Sequence, residues 1–401
     1  MMDAFEKQVA ELKLDRSEWQ LVKFGDVAIQ QKKNVDRENT ELTRYVKGEH
    51  MRSEDLHLRE WGELTDEYLG PAFIRMFEEG DILYGSRRTY LRKVVLAPFA
   101  GITSNTTFVI KANEEIIDKR LLPFVMMSEG FTQHSIRNSK GSVNPYVNWK
   151  DLADFEFLLP KIDAQNKIVS LFLSIDENKE ISRKLDTSLR NYELVLLKML
   201  QDEISGTESK IGDYVDITNG FAFKGTDITD QETDIILMTP GNFKVQGGFN
   251  SNKIKYFLSQ VDSNKFVFND GDLVVTMTDL SKEGNTLGMP AFIPKIKNKK
   301  ILHNQRLGRV VFKSEIILPE FLFHVLRTDR YRGHILRAAT RTTVSHTYPE
   351  RVLGFKFSCP SIEEQTKWII RLNEYKNNME LLASKNSRFF NLSKSLINQV
   401  F

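Results

Sequence analysis

The basic side chains near the end of the chain have the clearest spacing for binding chemistry. They recur at intervals of four, three and four residues, as Arg330, His334, Arg337 and Arg341. On an α-helix this spacing places all four on one face, which fits hydrogen bonds to phosphate oxygens and guanine edges in DNA. A hydroxylated loop follows, with Thr342, Thr343, Ser345 and His346 as further candidate DNA contacts. The alternative is a basic helix face that only meets solvent.

A second basic run, residues 87–93, interleaves arginine with an aromatic side chain. Its candidate DNA contacts are Arg87, Arg88, Tyr90 and Arg92. In an extended strand Arg88, Tyr90 and Arg92 share one face, because side chains alternate between the two faces. That mixture of charge and aromatic surface suits DNA. The alternative is an exposed hairpin whose arginines are solvated.

The chain repeats itself at an offset of 200 residues. Phe155, Phe157, Pro160, Gln165 and Lys167 return as Phe355, Phe357, Pro360, Gln365 and Lys367, and His134 and Arg137 return as His334 and Arg337. Two copies of one unit must share an architecture. The internal repeat predicts a pseudo-two-fold molecule whose partner or substrate has two related halves. Arg137 joins the candidate DNA contacts as the counterpart of Arg337.

The two copies differ in the loops that carry these polar residues. In the first half the loop equivalent to residues 342–346 is residues 140–146, and it offers Lys140, Ser142, Asn144 and Tyr146 as candidate DNA contacts. The region of the second half that corresponds to the run at 87–93 is Thr276–Gly288, and it contains no arginine. Because the halves offer different chemistry, the sequence predicts a non-palindromic target with two parts.

No pattern in the sequence predicts catalysis or a metal site. The Asn-Pro-Tyr at 144–146 lacks the second proline of the amino-methyltransferase signature, and no glycine-rich cofactor loop follows a strand. There is no nucleotide-binding GxxxxGK[ST] motif and no HExxH or other metal-ligand spacing of histidines. Glu363, Glu364 and Lys367 resemble a nuclease cluster, but they lie at a helix start, where acids interact favourably with the helix dipole.

The composition is that of an ordinary globular protein. Of 401 residues, 41% are hydrophobic and 27% are charged, with Lys+Arg 56 against Asp+Glu 54. A nucleic-acid binder with this balance must concentrate its positive charge locally. The single cysteine, Cys359, lies in an apolar run and is interpreted as a core residue in a reducing cytosol. The sequence contains no apolar stretch of membrane-spanning length, and its first residues lack the pattern of a signal peptide, so a cytoplasmic location is predicted.

Two long segments free of proline and glycine alternate with two mixed regions. Residues 162–203 and 362–401 carry apolar residues in heptad columns. The columns of the first segment are Leu171, Leu185, Tyr192 and Met199, and Ile175, Leu189 and Leu196; those of the second are Leu372, Met379 and Val400, and Leu382, Phe389 and Leu396. At ~1.5 Å per residue such a helix spans about 60 Å. Each helix exposes an apolar seam that must be buried.

The predicted fold is therefore α+β, with two similar domains separated by two long antiparallel helices that form a coiled coil. The predicted segments are a first domain over 1–160, a first helix over 161–206, a second domain over 207–360 and a second helix over 361–401. The alternative is that each helix packs only on the domain that precedes it.

The chain resembles the specificity subunits of type I restriction-modification systems. The resemblance lies in the order domain, helix, domain, helix and in a P-x-x-x-x-Q-x-K junction, found in PKIDAQNKIVSLFLSID at 160–176 and PSIEEQTKWIIRLNEY at 360–375. Gly-Asp pairs at 25–26 and 212–213, and at 80–81 and 271–272, also fit. The first junction has Ala164 where the family usually has glutamate.

The resemblance implies two target recognition domains that read a bipartite DNA sequence. It implies a subunit without catalysis, bound to double-stranded DNA, two modification subunits that use S-adenosylmethionine and two restriction subunits that use ATP and Mg²⁺. The helices would serve as ruler and docking surface. Two rival hypotheses remain: a methyltransferase or nuclease fused to recognition domains, and a repeat scaffold that binds a two-fold protein partner instead of DNA.

Overall fold

The computed structural model describes residues 16–36, 39–258, 266–281, 283–337, 339–341 and 344–401. Its contacts divide the chain into two units. Unit 1 contains the described residues up to Lys184 together with Leu382–Phe401, and unit 2 contains Leu185–Leu381. Each unit thus holds one mixed region and a part of both long helices.

The regular elements of unit 1 begin with a short strand and helix. Its strands are β1 Gln20–Lys23, β2 Ala28–Gln31, β3 Arg44–Val46, β4 Gly62–Glu63, β5 Phe73–Phe77, β6 Ile82–Gly85, β7 Val94–Leu96, β8 Gly101–Ser104, β9 Thr107–Ala112 and β10 Glu156–Leu159. Its helices are α1 Phe24–Val27, α2 Leu122–Met127, α3 Glu129–Arg137 and α4 Trp149–Ala153. The long helix α5, Ile162–Asp202, contributes residues to both units.

Unit 2 repeats the main elements of this order and adds short strands. Its strands are β11 Thr207–Lys210, β12 Val215–Asn219, β13 Ile228–Thr229, β14 Ile235–Met238, β15 Lys255–Phe257, β16 Leu273–Thr276, β17 Thr278–Asp279, β18 Pro290–Phe292, β19 Lys300–His303, β20 Leu307–Phe312, β21 Thr340–Arg341, β22 Ser345–His346 and β23 Lys356–Cys359. Its helices are α6 Ile211–Tyr214, α7 Pro319–Val325, α8 Asp329–Arg337 and α9 Pro349–Leu353, and the long helix α10 is Ile362–Val400. The predicted α+β class with an internal repeat is confirmed.

The same antiparallel sheet forms the centre of each unit. Its strand order is β2-β9-β6-β7 in unit 1 and β12-β20-β16-β18 in unit 2. A second four-stranded sheet contains a parallel pair in both units, β3 with β8 and β14 with β19. The strand before the first short helix pairs with the strand before the long helix, as β1 with β10 and β11 with β23. The units therefore share the central sheet, the parallel pair and the closing strand pair, whereas the second sheet is ordered β4-β3-β8-β5 in unit 1 and β13-β15-β14-β19 in unit 2.

The repeated glutamine of the junction is buried at the start of each long helix, where its side chain bonds backbone groups of two separate segments. Gln165 is 0% exposed; its Oε1 accepts from the Asp118 N–H at 2.7 Å, and its Nε2 donates to the carbonyls of Ile116 at 3.0 Å and Pro160 at 2.9 Å. Gln365, also 0% exposed, makes the same three bonds, to the Leu318 N–H at 2.8 Å and to the carbonyls of Ile316 at 2.8 Å and Pro360 at 3.0 Å. The junction is repeated because buried backbone groups need these partners.

The repeated Gly-Asp pairs are also structural. A Cβ on Gly25 would lie 2.9 Å from the Cβ of Ala153, and one on Gly212 would lie 3.2 Å from the Cβ of Leu353, so short helices approach there closely. Gly80 and Gly271 adopt φ of +85° and +82°, which glycine tolerates without strain. The aspartate after each glycine accepts a backbone N–H three residues earlier, from Lys23, Lys210, Glu78 and Asn269.

The long helices pack within each unit. In unit 1 the start of α5, with Phe172 and Ile175, shares a core with the end of α10, where Leu396, Ile397 and Val400 are buried. The two segments run antiparallel, because the Phe172 ring lies 6.3 Å from the Phe401 ring and Lys179 Nζ lies 2.8 Å from Ser393 Oγ. The antiparallel pairing is confirmed, and the alternative that each helix packs only on the domain before it is wrong.

Unit 2 buries the other parts of the same two helices. Leu196, Leu197 and Leu200 of α5 share a core with Trp368, Leu372 and Tyr375 of α10. The predicted heptad columns fail at two positions, since Leu185 is 47% and Tyr192 46% exposed.

Candidate nucleic-acid interface

In unit 1 two segments predicted to contact DNA are joined by backbone hydrogen bonds. Lys140 and Tyr146 exchange bonds, with N···O distances of 2.8 and 2.9 Å, and close the loop between them into a hairpin. The Val147 N–H donates to the Ser86 carbonyl at 2.9 Å, and the Arg88 N–H donates to the Pro145 carbonyl at 2.7 Å. We call this surface, residues 86–90, 105–106 and 140–146, the hairpin edge of unit 1. It unites clusters that are fifty residues apart in the sequence.

The hairpin edge of unit 1 displays basic, polar and aromatic side chains together. Arg87, Arg88, Lys140, Ser142 and Asn144 are exposed, Tyr90 is 53% and Tyr146 44% exposed, and Arg137 is exposed at the end of α3 nearby in sequence. Lys140 Nζ lies 3.3 Å from a carboxylate oxygen of Asp151, which offsets part of its charge. The unpredicted Val143 at the hairpin tip is 89% exposed. Such a mixture can contact phosphates and base edges.

The predicted strand over residues 87–93 is wrong. Thr89–Leu91 form a 3-10 turn between Arg88 and Arg92, which have φ of 51° and 49° in the left-handed region. Arg92 is 14% exposed, lies 3.3 Å from Glu54 and is ion-paired with Glu129. Its guanidinium therefore holds the turn to the rest of unit 1, and Arg92 leaves the set of candidate DNA contacts.

Unit 2 builds the equivalent surface with a small sheet. Strand β22 pairs with both β17 and β21, so that His346 faces Thr278 and Thr340 in the ladder. The Thr347 N–H donates to the Met277 carbonyl at 3.0 Å, as Val147 does to Ser86 in unit 1. We call residues 277–280, 304–306 and 344–346 the hairpin edge of unit 2.

An aspartate organises the loop that follows β17. Asp279 is 6% exposed and accepts from the Ser281 N–H at 2.7 Å and the Thr286 hydroxyl at 2.7 Å, and also from the Thr286 N–H. Burial raises the pKa of this carboxyl, but the hydrogen bonds from Thr286 and Ser281 outweigh it, so the pKa lies below its usual value. Where unit 1 has Arg87 and Arg88, unit 2 thus has a threonine and a buried carboxylate.

The predicted four-residue helical face is only partly correct. Helix α8 ends at Arg337, so Arg330 and Arg337 are exposed on a helix but Arg341 lies in strand β21. Thr342 and Thr343 lie outside the described residues. Ser345 is fully buried, with its hydroxyl 3.1 Å from the Ser281 carbonyl, whereas His346 is exposed.

His334 has a structural contact instead of an exposed ring. Its Nε2 lies 2.9 Å from the Arg351 carbonyl, so this nitrogen carries the proton, and the ring lies 5.3 Å from that of Phe355. Burial lowers the pKa of His334. The histidine is repeated because it has the same structural role in unit 1. There His134 contacts the Asp151 carbonyl at 2.6 Å and the Phe155 ring at 5.3 Å. Both histidines tie the helix before the hairpin to the helix after it.

Sequence reasoning missed the turn between β19 and β20. Gln305 and Arg306 are exposed there, and the Arg306 carbonyl accepts the Met277 N–H at 2.8 Å, which places the turn on the hairpin edge of unit 2. Their counterparts at the offset of 200 are Asn105 and Thr106. The signal in the sequence is that Arg306 stands where the first repeat has Thr106.

The described part of the chain shows no cluster of three or more His, Cys, Asp or Glu side chains suited to a metal ion. Among the described residues, no helix combines the length and apolar character that crossing a bilayer needs.

Cys359 is buried, and burial raises the pKa of its thiol, in line with its interpretation as a core residue.

Comparisons with known proteins agree with this architecture. A family model described as the type I restriction modification DNA specificity domain matches residues 16–191 and again residues 206–388. The chain is 23% identical over 412 residues to the type I restriction enzyme MjaVIII specificity subunit of Methanocaldococcus jannaschii, covering 95% of this chain and 91% of the relative.

Two solved structures share the fold. One comes from work on complex assembly and conformational transition of the type I R-M system, with a TM-score of 0.62, 16% identity and coverage of 96% of this chain and 97% of that chain. The other is the type I restriction-modification S subunit from M. genitalium, with a TM-score of 0.58, 12% identity and coverage of 97% and 98%.

Proposed function

The chain belongs to the type I restriction-modification DNA specificity family, and from this premise we propose that it is the specificity subunit that recognises a bipartite, non-palindromic DNA sequence. One observation carries the proposal. The two units close their hairpin edges with the same backbone bonds, Val147 to Ser86 and Thr347 to Met277, yet display different side chains on them. A shared frame with unlike surfaces suits two unlike half-sites.

Each hairpin edge supplies the chemistry that duplex recognition needs. On unit 1, Arg87 and Arg88 can donate two parallel bonds to guanine or bind phosphate, and Ser142 and Asn144 can bond base edges. On unit 2, Arg337, Arg341 and His346 remain proposed contacts. Because the net charge is +2 for 401 residues, affinity must come from these local groups and must fall with added salt.

The chemistry of restriction and modification belongs to partner subunits in this proposal. The chain itself binds no cofactor, and it scaffolds two modification subunits that use S-adenosylmethionine and two restriction subunits that use ATP and Mg²⁺, in the cytoplasm. Support comes from the family membership and from the solved relative that concerns complex assembly of a type I system.

The test is a map of methylated adenines in DNA from cells that express this chain with its modification subunit. The expected result is one two-part, non-palindromic motif, absent from cells that express the modification subunit alone. A palindromic motif, or the same map without this chain, contradicts the proposal.

Two measurements on the purified chain address the rival hypotheses. Methyl transfer or cleavage by the chain alone would show a fused enzyme. A DNA titration at increasing salt separates DNA reading from a protein scaffold, because phosphate contacts give a steep negative slope of log affinity against log salt. If the chain has no measurable affinity for DNA and no salt dependence, the hypothesis of a repeat scaffold for a protein partner is favoured.

A further inference from the structure

The turn between β19 and β20 is linked to the hairpin of unit 2 through Met277. The Arg306 carbonyl accepts the Met277 N–H at 2.8 Å, and the Met277 carbonyl accepts the Thr347 N–H at 3.0 Å. Met277 therefore bridges the turn and Thr347, the residue directly after β22. The side chains of Gln305 and Arg306 project from this position into solvent.

The backbone of the turn is rigidly held. The Asn304 side chain accepts the Arg306 N–H at 2.9 Å, and its carbonyl accepts the Leu307 N–H at 3.1 Å. The Gln305 N–H donates to the Phe221 carbonyl at 2.9 Å. Phe221 is itself 46% exposed and packs 5.2 Å from the Phe223 ring. A side chain on a fixed backbone loses less entropy on binding, and this favours specific recognition.

The corresponding turn in unit 1 makes the equivalent backbone bond to its hairpin edge and carries different side chains. There the Thr106 carbonyl accepts the Ser86 N–H at 3.1 Å and the Ser86 hydroxyl at 2.6 Å. Unit 1 carries its arginines on the loop after β6, at Arg87 and Arg88, and has Thr106 on the turn. Unit 2 has Thr278 in place of Arg87 and carries Arg306 on the turn instead. Arginine has moved from one loop of the edge to the other.

We propose that Arg306 reads a guanine in the half-site of unit 2, with Gln305 beside it reading an adenine. Arginine donates two bonds to O6 and N7 of guanine, and glutamine pairs with N6 and N7 of adenine. The inference rests on the proposed function and assigns part of its specificity. The shift of arginine between loops places the guanine contact of the two half-sites on different elements, which accounts for two half-sites of different sequence.

The experiment compares methylation maps and DNA affinity for Arg306→Ala, for Gln305→Ala and for the control Lys300→Ala. Lys300 is exposed at the opposite end of β19. Arg306→Ala is expected to relax one guanine position in a single half-site and to weaken binding of the full site about tenfold to a hundredfold. Gln305→Ala is expected to relax an adenine position in the same half-site, and Lys300→Ala to change neither map nor affinity.

A different outcome overturns the assignment. If Arg306→Ala weakens binding of all sequences equally, lowers the salt slope by about one unit and leaves the motif intact, Arg306 contacts phosphate. An unchanged map and affinity place the turn away from DNA. Unaltered thermal unfolding of the variants confirms that the fold is retained. Failure of the proposed function is distinguishable, because then the unmodified chain yields no bipartite motif at all.

Discussion

The hairpin edges of the two units differ in their side chains but not in their frame. Residues that hold the frame are repeated at the offset of 200, among them Gln165 with Gln365 and His134 with His334. The side chains of the β8–β9 and β19–β20 turns differ, since Asn105 and Thr106 correspond to Gln305 and Arg306. At the hairpin edges the repeat therefore preserves buried hydrogen bonds, whereas several exposed positions vary, as two unlike half-sites require.

The contacts between α5 and α10 also carry different side chains in the two units. In unit 1 a cavity of about 240 Å³ is lined by Lys179, whose ammonium donates to Ser393 at 2.8 Å. In unit 2 a cavity of about 810 Å³ has Met379 at the position of Lys179, and Glu193 at the position of Ser393. Glu193 pairs with Arg327 and accepts from the Tyr375 hydroxyl at 3.1 Å. The charged group between the two helices therefore has polar partners in each unit, but it is an ammonium in unit 1 and a carboxylate in unit 2.

Equal loss of stability in the two units is expected when the repeated glutamines are removed. Gln165→Met and Gln365→Met each leave one backbone N–H and two carbonyls without a partner, and each should lower the free energy of unfolding by about 3 kcal/mol. Urea titrations followed by circular dichroism measure it. Lys167→Met, two residues further along the helix and exposed, is the control. A loss in one unit only contradicts a shared frame.

The different contacts between α5 and α10 in the two units predict how a half-chain associates. In a fragment of residues 1–206, α5 carries Leu189, Leu196, Leu197 and Leu200, which correspond to Phe389, Leu396, Ile397 and Val400. A second copy can therefore occupy the seam that α10 fills in unit 1. Glu193 then lies opposite Lys179, where Ser393 lies in the full chain. We expect the fragment to dimerise, as measured by sedimentation equilibrium.

Charge reversal tests that register. Glu193→Lys should weaken the fragment dimer at least about tenfold, because it places two ammonium groups together at a partly buried site. Glu203→Lys, on an exposed residue beyond the helix, should leave the dimer unchanged. A folded, strictly monomeric fragment indicates that the seam is satisfied within its own unit.

The arginines of the two edges should contribute separately to DNA binding. Arg88→Ala on unit 1 and Arg337→Ala on unit 2 should each flatten the slope of log affinity against log salt by about one unit per lost phosphate contact. Fluorescence anisotropy at several salt concentrations measures the slope. Arg92→Ala should leave the slope unchanged and lower stability, because its guanidinium pairs with Glu54 and Glu129. A slope change in Arg92→Ala alone reverses this assignment.

The smallest expected effect is a pH dependence peculiar to unit 1. His57 Nε2 lies 2.8 Å from Asp176, and this hydrogen bond raises the pKa of His57 above its usual value. Lys376 stands at the position equivalent to Asp176 in unit 2. Protonated His57 stabilises the fold below the unfolded pKa of about 6.5, and this contribution is lost as the pH rises through the folded pKa.

Thermal melts across that range should therefore show a larger decrease with rising pH in the unmodified chain than in Asp176→Asn. Taking the difference between the two proteins removes the contribution of the other histidines, such as His303, whose pKa burial lowers to about 4. Identical profiles show that the His57 pair contributes nothing to stability.

The architecture was predictable from the sequence because its signals are local or periodic. Long runs without proline or glycine predict helices, since those two residues are the ones that break them. The offset of 200 between landmarks such as Pro160 and Pro360 predicts two copies of one fold. The predicted segments treated each long helix as one separate element, whereas each unit contains parts of both helices. Heptad columns identify an apolar seam but do not show where along the helix one unit ends and the other begins.

The roles of individual arginines were decided only by the tertiary structure. Charge pattern alone does not distinguish Arg92, ion-paired with Glu54 and Glu129, from the exposed Arg87 and Arg88. Nor does it show that Arg341 leaves the helix or that Arg306 meets the hairpin through Met277. Local periodicity determined which elements form and that they form twice. Contacts between residues far apart in the chain determined which side chains remain free to bind, because exposure depends on partners that neighbouring sequence does not contain.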